Sequence, residues 1–247
     1  MDLRKIITEY AENGFVVVKN AIPNGDIEKL VKEYFIILDQ NDNLKEDEVS
    51  SHILQSSSVW RQFIGRKDIL DIVEVFLGKN IAHFYSRFFV KKPREGREVP
   101  WHQDGAYYPL RPVELCTVWV GMTESHSRNG GLRVVPGSHR HQLSQIKESD
   151  DESCVLKRVM DQELVNEDTS IDLNTEVGDL VIIHPNLKHS SYKNISDEWR
   201  MSLAIRYIST STQITWKELY GKDWDCCYLL RGEVVEGVDN QYILEGV

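Results

Sequence analysis

From Ile81 onward the sequence breaks into short β-type segments, and this spacing constrains the fold more than any other feature. Phe84–Lys91, Leu115–Met122, Leu132–Val135, Asp179–His184, Ser190–Lys193 and Arg200–Ile208 follow one another, with Gly, Pro and Asn between them. Strands this short bury an apolar face only by packing sheet on sheet. The pattern therefore reads as a β-sandwich or barrel.

Ahead of this region the period is helical. Leu3, Ile6, Ile7 and Tyr10 share one helix face, and Asn13-Gly14 stops that helix. Phe15–Val18 is an apolar run that reads as a buried strand. Pro23-Asn24-Gly25-Asp26 turns the chain into a second helix over Ile27–Leu38, and a third spans Asp68–Leu77, closed by Gly78. The fold class is mainly β with flanking helices. Residues 1–80 form a mostly helical part, 81–210 a β core, and 211–247 a tail packed on the core. Ser144–Ile171 interrupts the strands and is rich in Asp and Glu. It is expected as a solvated loop with one helix around Leu156–Leu164, placed where it could act as a lid.

With 247 residues, 41% of them hydrophobic, the chain can bury one sizeable core, so 1–247 reads as one domain. The net charge of -10 repels phosphate backbones and argues against a nucleic-acid partner. No apolar run has the length to span a bilayer, which argues against a membrane partner, and MDLRKIITEY lacks the apolar centre of a signal peptide. The four cysteines, Cys116, Cys154, Cys226 and Cys227, make no metal-type C-x-x-C pair. They are expected as reduced thiols in a cytoplasmic protein.

Chemistry enters with His102-Gln103-Asp104. In an extended strand, positions i and i+2 face the same side, so an imidazole and a carboxylate can meet one cation. Alone, H-x-D is more often a surface pair near a turn. A second histidine would complete a two-histidine, one-carboxylate triad, which leaves three open positions on an octahedral iron(II). Downstream, two candidates compete for that place: His184, ending an apolar strand, and His189, beginning the next segment. A hairpin of His189–Lys193 with Arg200–Tyr207 would set Ser191 opposite Arg200 and His189 opposite Ser202, all on one face. Met201, Leu203 and Ile205 would then form a buried apolar layer behind. That register favours His189. It also places a hydroxyl and an arginine where the distal carboxylate of a metal-bound oxo-diacid needs donors.

These segments resemble the phytanoyl-CoA dioxygenase family of iron(II)/2-oxoglutarate oxygenases. The resemblance runs through NGFVVVKNAIP, HQDGAYYPLRP, NGGLRVVPGSHR and GDLVIIHPNLKHSSYKN, with Arg200 behind them. It implies a double-stranded β-helix (jelly-roll) core, Fe(II) and O2 as reactants, and 2-oxoglutarate as cosubstrate. By position, the iron ligands and catalytic centre would be His102, Asp104 and His189, which sets His184 aside. Arg200 would pair with the distal carboxylate of 2-oxoglutarate, Ser191 would assist it, and Trp119 would line its pocket. Gln55 is the candidate for a further polar contact upstream. A carboxylate at Asp104, where related halogenases have Gly or Ala, implies oxygen transfer.

Tyr107 and Tyr108 are expected in the substrate wall. Arg206 shares the parity of Arg200 and fits either an anionic substrate group or a core-edge salt bridge. Lys91, Lys92, Arg94 and Arg97 read as a solvated basic loop. The expected activity is hydroxylation of a small molecule with release of succinate and carbon dioxide, by a monomer or homodimer. The alternatives are a non-catalytic jelly-roll that binds a ligand or partner, and an acyl-CoA 2-hydroxylase.

Overall fold

The computed structural model describes residues 2–151 and 154–244. The strand Arg200–Ser209 organises them. It is buried along its whole length, so its two faces serve two different layers. Met201, Leu203, Ile205 and Tyr207 face the helical layer, while Arg200, Ala204 and Arg206 face a central cavity.

This strand sits inside a six-stranded antiparallel sheet. The order is Phe15–Val18, Leu180–Ile183, Leu115–Gly121, Arg200–Ser209, Ile81–Lys91 and Tyr228–Arg231. A second sheet of four strands faces it, ordered Val99–His102, His189–Ser191, Leu132–Val134 and Ile171–Leu173. Together they form the jelly-roll. Between the sheets Phe15, Trp119, Val181 and Ile183 pack against Leu132, Val134 and Leu173. Strand alternation turns Val118, Val120, Leu180 and Ile182 outward, under the helices. Ile6, Ile27, Leu30, Tyr34, Ile69 and Val73 cover them.

The helices form where caps and stops allow. Asp2 caps Leu3–Asn13, its carboxylate accepting from the N–H groups of Arg4 and Lys5, and Gly14 ends it in the left-handed conformation (φ 81°). The second helix spans Asn24–Asp39, earlier at its start than Ile27, because Pro23 takes the N-cap place. The third spans Lys67–Leu77. Two short helices, Ser51–Leu54 and Ser58–Ile64, lie in a polar stretch with no readable period. Among the described residues no helix is long and apolar enough to cross a membrane.

Two expectations are corrected. The segment Ser144–Ile171 is neither a bare loop nor helical at Leu156–Leu164. Ile146–Glu148 pairs with Arg158–Met160, and Gln162–Leu164 is a single 3-10 turn. Gln162 pins it, accepting from the Trp101 N–H (3.1 Å) and donating to the Trp101 carbonyl (3.2 Å). Met160 and Val165 then bury Trp101. The hairpin of His189–Lys193 with Arg200–Tyr207 also does not form. The two strands lie in opposite sheets, and the chain between them crosses over. The Asn194 side chain builds that crossing: its amide donates to the carbonyls of Lys91 and Glu198, and its oxygen accepts from the Ser196 N–H. His189, Ser191 and Arg200 still line one cavity, because they face it from opposite walls.

Candidate metal centre

His102 ends the strand Val99–His102 and sits directly across from His189 on the neighbouring strand. Gln103 keeps an extended backbone (φ -128°, ψ 122°), and Asp104 begins a 3-10 turn, so Asp104 returns to the side His102 faces. The ring centroids of His102 and His189 lie 4.0 Å apart. One ligand atom from each of His102, Asp104 and His189 lies within 4.8 Å of the others, and all three residues are buried. Each histidine donates Nδ1–H to the carbonyl two residues before it: His102 to Pro100 and His189 to Leu187, both at 2.9 Å. A carbonyl can only accept, so the tautomer is fixed and each Nε2 keeps a free lone pair. Burial, reinforced by neighbouring His189, pushes His102 down to about 3, and burial lowers His189 as well. Both imidazoles are thus neutral and ready to ligate. The donor set fits a divalent cation such as iron(II).

Asp104 is held by the protein on both oxygens. Thr117 donates its hydroxyl to Oδ2 (2.7 Å), and Arg206 donates Nη2–H to Oδ1 (3.1 Å). Burial works against the Asp104 charge. The Arg206 charge, helped by the Thr117 hydroxyl, outweighs it and holds the carboxyl well below the usual carboxylate range. Arg206 therefore takes the salt-bridge alternative rather than standing free for substrate. Thr117 is a residue the sequence reading missed. Its signal was a hydroxyl inside the apolar strand LCTVWVG, at the inward parity of Trp119.

Further along the same face, Arg200 is 1% exposed. It donates Nη1–H to the Phe89 carbonyl (3.0 Å) and the Ser202 hydroxyl (2.8 Å), while its buried Nε has no partner. Among the described residues it has no carboxylate partner, and burial pulls it down to about 9. A buried cation in that condition fits a ligand carboxylate. Ser191 and Trp119 line the same cavity, with Phe89 as a further wall.

Lys91 is the main correction to the basic loop. It is 2% exposed and lies opposite Arg200 in the strand pairing. Its Nζ donates to the Ser191 hydroxyl (2.9 Å) and carbonyl (3.2 Å), and to the Tyr192 carbonyl. Gly130 (φ 91°) and Gly96 clear its channel: a Cβ on either would overlap the lysine stem.

The remaining candidates divide. Tyr107 and Tyr108 line a second cavity that adjoins the metal cluster, and Tyr107 donates its hydroxyl to the Arg158 carbonyl. Gln55 does not reach either cavity; its amide donates to the Asp225 carbonyl (3.2 Å). The short helix Ser51–Leu54 ends just before it and turns it toward the C-terminal segment. His184 also lies apart. Its Nδ1 accepts from the Asn186 N–H (3.0 Å), and its ring packs against Tyr10 and His139.

The phytanoyl-CoA dioxygenase (PhyH) family model matches residues 10–202. The chain belongs to that family. Human peroxisomal phytanoyl-CoA dioxygenase is 25% identical over 259 residues, covering 95% of this chain and 72% of that protein. A probable alpha-ketoglutarate-dependent hypophosphite dioxygenase of Stutzerimonas stutzeri is 27% identical, covering 74% of this chain and 59% of the relative. Among solved structures, apo ThoJ, a non-heme monooxygenase, superposes with a TM-score of 0.74 at 23% identity over 94% of this chain and 84% of that one. The epimerase SnoN, in complex with Fe3+, alpha ketoglutarate and nogalamycin RO, gives 0.73 at 19% identity over 95% and 96%. These likenesses establish the jelly-roll fold. Family and donor set together make the chain an iron- and 2-oxoglutarate-dependent oxygenase of a small molecule.

Proposed function

We propose that this chain hydroxylates a C–H bond of a small organic molecule: substrate–H, 2-oxoglutarate and O2 give substrate–OH, succinate and CO2. The observation that carries the reading is the buried guanidinium of Arg200, without a carboxylate among the described residues, in the cavity that also holds His189 and His102. His102, Asp104 and His189 hold iron(II). Arg200 grips the distal carboxylate of 2-oxoglutarate, and Ser191 donates a second hydrogen bond to it. Iron, when bound, supplies the activation of oxygen coupled to decarboxylation of 2-oxoglutarate.

The chain's own residues position and protect. Arg206 and Thr117 fix the Asp104 carboxylate, so one oxygen cannot rotate away from the cation. Lys91 fills an acceptor site on the Ser191 hydroxyl, which leaves the hydroxyl hydrogen to point into the cavity. Trp119, Leu132 and Ile183 keep that end of the cavity dry and strengthen each polar contact in it. Family membership alone does not fix the substrate, since relatives named for phytanoyl-CoA and for hypophosphite both match. We place the activity in the cytoplasm, in a monomer or homodimer, with no nucleic-acid or membrane partner. The net charge of -10 and the burial of all four cysteines support this placement.

Adding iron(II) and 2-oxoglutarate to the folded protein without oxygen should produce a weak visible charge-transfer band. Its absence from correctly folded protein overturns the reading.

A further inference from the structure

The cavity beside the metal cluster has a chemistry of its own. It measures about 280 Å³, opens to solvent, and shares Phe89, His102 and Arg206 with the cosubstrate pocket. Its wall is aromatic, formed mainly by Tyr85, Phe89, Tyr107, Tyr108, Trp216 and Trp224. Trp224 is fixed in place. It stacks on Phe84 (centroids 4.9 Å apart, planes at 21°), meets Trp216 edge-on at 4.7 Å, and donates Nε1–H to the Phe84 carbonyl (2.9 Å). A wall of rigid flat rings favours a planar guest over a flexible chain.

The charges in this wall do not cancel. Asp104 is its one lining carboxylate among the described residues, and Arg206 neutralises it. Arg87 and Arg158 also line the cavity, and neither is in an ion pair among the described residues. Arg87 donates Nε–H and Nη2–H only to the Asp47 backbone carbonyl. Both lie over rings of the wall: the guanidinium carbon of Arg87 is 5.5 Å from the Phe89 centroid, and that of Arg158 is 5.6 Å from the Tyr107 centroid. A protein of net charge -10 thus turns a positive aromatic mouth toward its metal centre. The Arg87 fork is half used by Asp47, so one complete fork remains, on Arg158. That matches a single planar carboxylate.

We propose that the substrate is a compact aromatic carboxylate, with its ring against the aromatic wall that includes Tyr108 and Trp224 and its carboxylate on Arg158 and Arg87. A C–H bond on or beside the ring then faces His102 and Asp104. This assignment rests on the oxygenase reading above.

The test is calorimetric titration of the oxygen-free enzyme, saturated with iron(II) and 2-oxoglutarate, against three probes. They are 2-naphthoate, its neutral isostere 2-naphthamide, and the aliphatic anion octanoate. Expected is that 2-naphthoate binds at least tenfold tighter than either of the others. Arg158→Ala should remove most of that advantage while weakening 2-naphthamide binding far less. Equal binding of naphthoate and naphthamide overturns the anionic assignment, and octanoate binding as well as naphthoate overturns the aromatic one. No binding of naphthoate overturns both. The wild-type comparison decides even if Arg158→Ala fails to fold. The visible band, read in the same samples, separates the outcomes: a missing band sinks the oxygenase reading, while a present band with undiscriminating binding sinks only the substrate class.

Discussion

Arg200 and Arg206 stand six residues apart on the same face of one strand, both buried, and they live in opposite electrostatic conditions. Arg206 has its anion inside the protein: Asp104 lies 3.1 Å away. Burial alone would oppose its charge, but Asp104 outweighs burial and raises its pKa above the ordinary arginine value. Among the described residues Arg200 has only the Phe89 carbonyl and the Ser202 hydroxyl, and burial pulls it down. Burying a guanidinium without a counter-charge is costly. A cation that the fold neutralises serves the structure. A cation that it buries and leaves unneutralised marks where a ligand anion goes. The metal end of the cavity is thus complete in charge before the cosubstrate arrives, and the cosubstrate end is not.

Removing each arginine should break this contrast in opposite ways. Arg206→Met leaves the Asp104 carboxylate buried with only a hydroxyl to hold it. Loss of one partner from such a pair costs about 3–5 kcal/mol. The metal-free protein should unfold correspondingly earlier in denaturant, and iron(II) should restore more stability than it adds to the wild type, because it supplies the missing positive charge. Arg200→Met removes a cation that has no anion. The metal-free protein should be no less stable, and iron affinity should hold. Binding of 2-oxoglutarate should weaken by about 3 kcal/mol, on the order of 100-fold, as read by the visible band. If Arg200→Met destabilises the metal-free protein as much as Arg206→Met does, the distinction between the two ends is wrong.

The two ends also differed in how far they could be read from sequence. The metal end was legible because its information is local. H-x-D needs only one extended residue between two ligands, and Gln103 supplies it. The shared parity of Arg200 and Arg206 followed from alternation along one strand, while Trp119 was legible only through the family resemblance. The strand order was not legible. A hairpin around Asn194 was the economical guess, yet the Asn194 amide bonds to Lys91 and Glu198 and carries the chain to the other sheet. Local turn chemistry cannot say which sheet receives a strand. Gln55 failed for a related reason: its position depends on the C-terminal segment, which no nearby residue announces. Lys91 was hidden by composition. Its neighbours Lys92, Arg94 and Arg97 look like a solvated loop. What separates it is the inward parity it shares with Phe89, together with Gly96 and the distant Gly130, which clear its channel.

Lys91 gives the smallest of the expected effects and the finest test of the contrast. Burial is the main cause that lowers its pKa well below the ordinary lysine value. Arg200 and Arg133 add to the lowering, while Glu98 and Asp47 oppose it. A carboxylate arriving at Arg200 and Ser191 would favour the charged ammonium, so the 2-oxoglutarate complex should hold its proton to higher pH than the free protein does. The sign follows: where the free protein has lost that proton and the complex has not, binding takes up a proton, and affinity falls as pH rises. Titration calorimetry in two buffers of different ionisation enthalpy measures the uptake directly. Lys91→Met should abolish it and weaken 2-oxoglutarate by about tenfold, the scale of one hydrogen bond to a charged group. Proton uptake that persists in Lys91→Met would mean that another group titrates. Wild-type affinity in that variant would mean that Lys91 merely fills its channel, and that Arg200 alone carries the unneutralised charge.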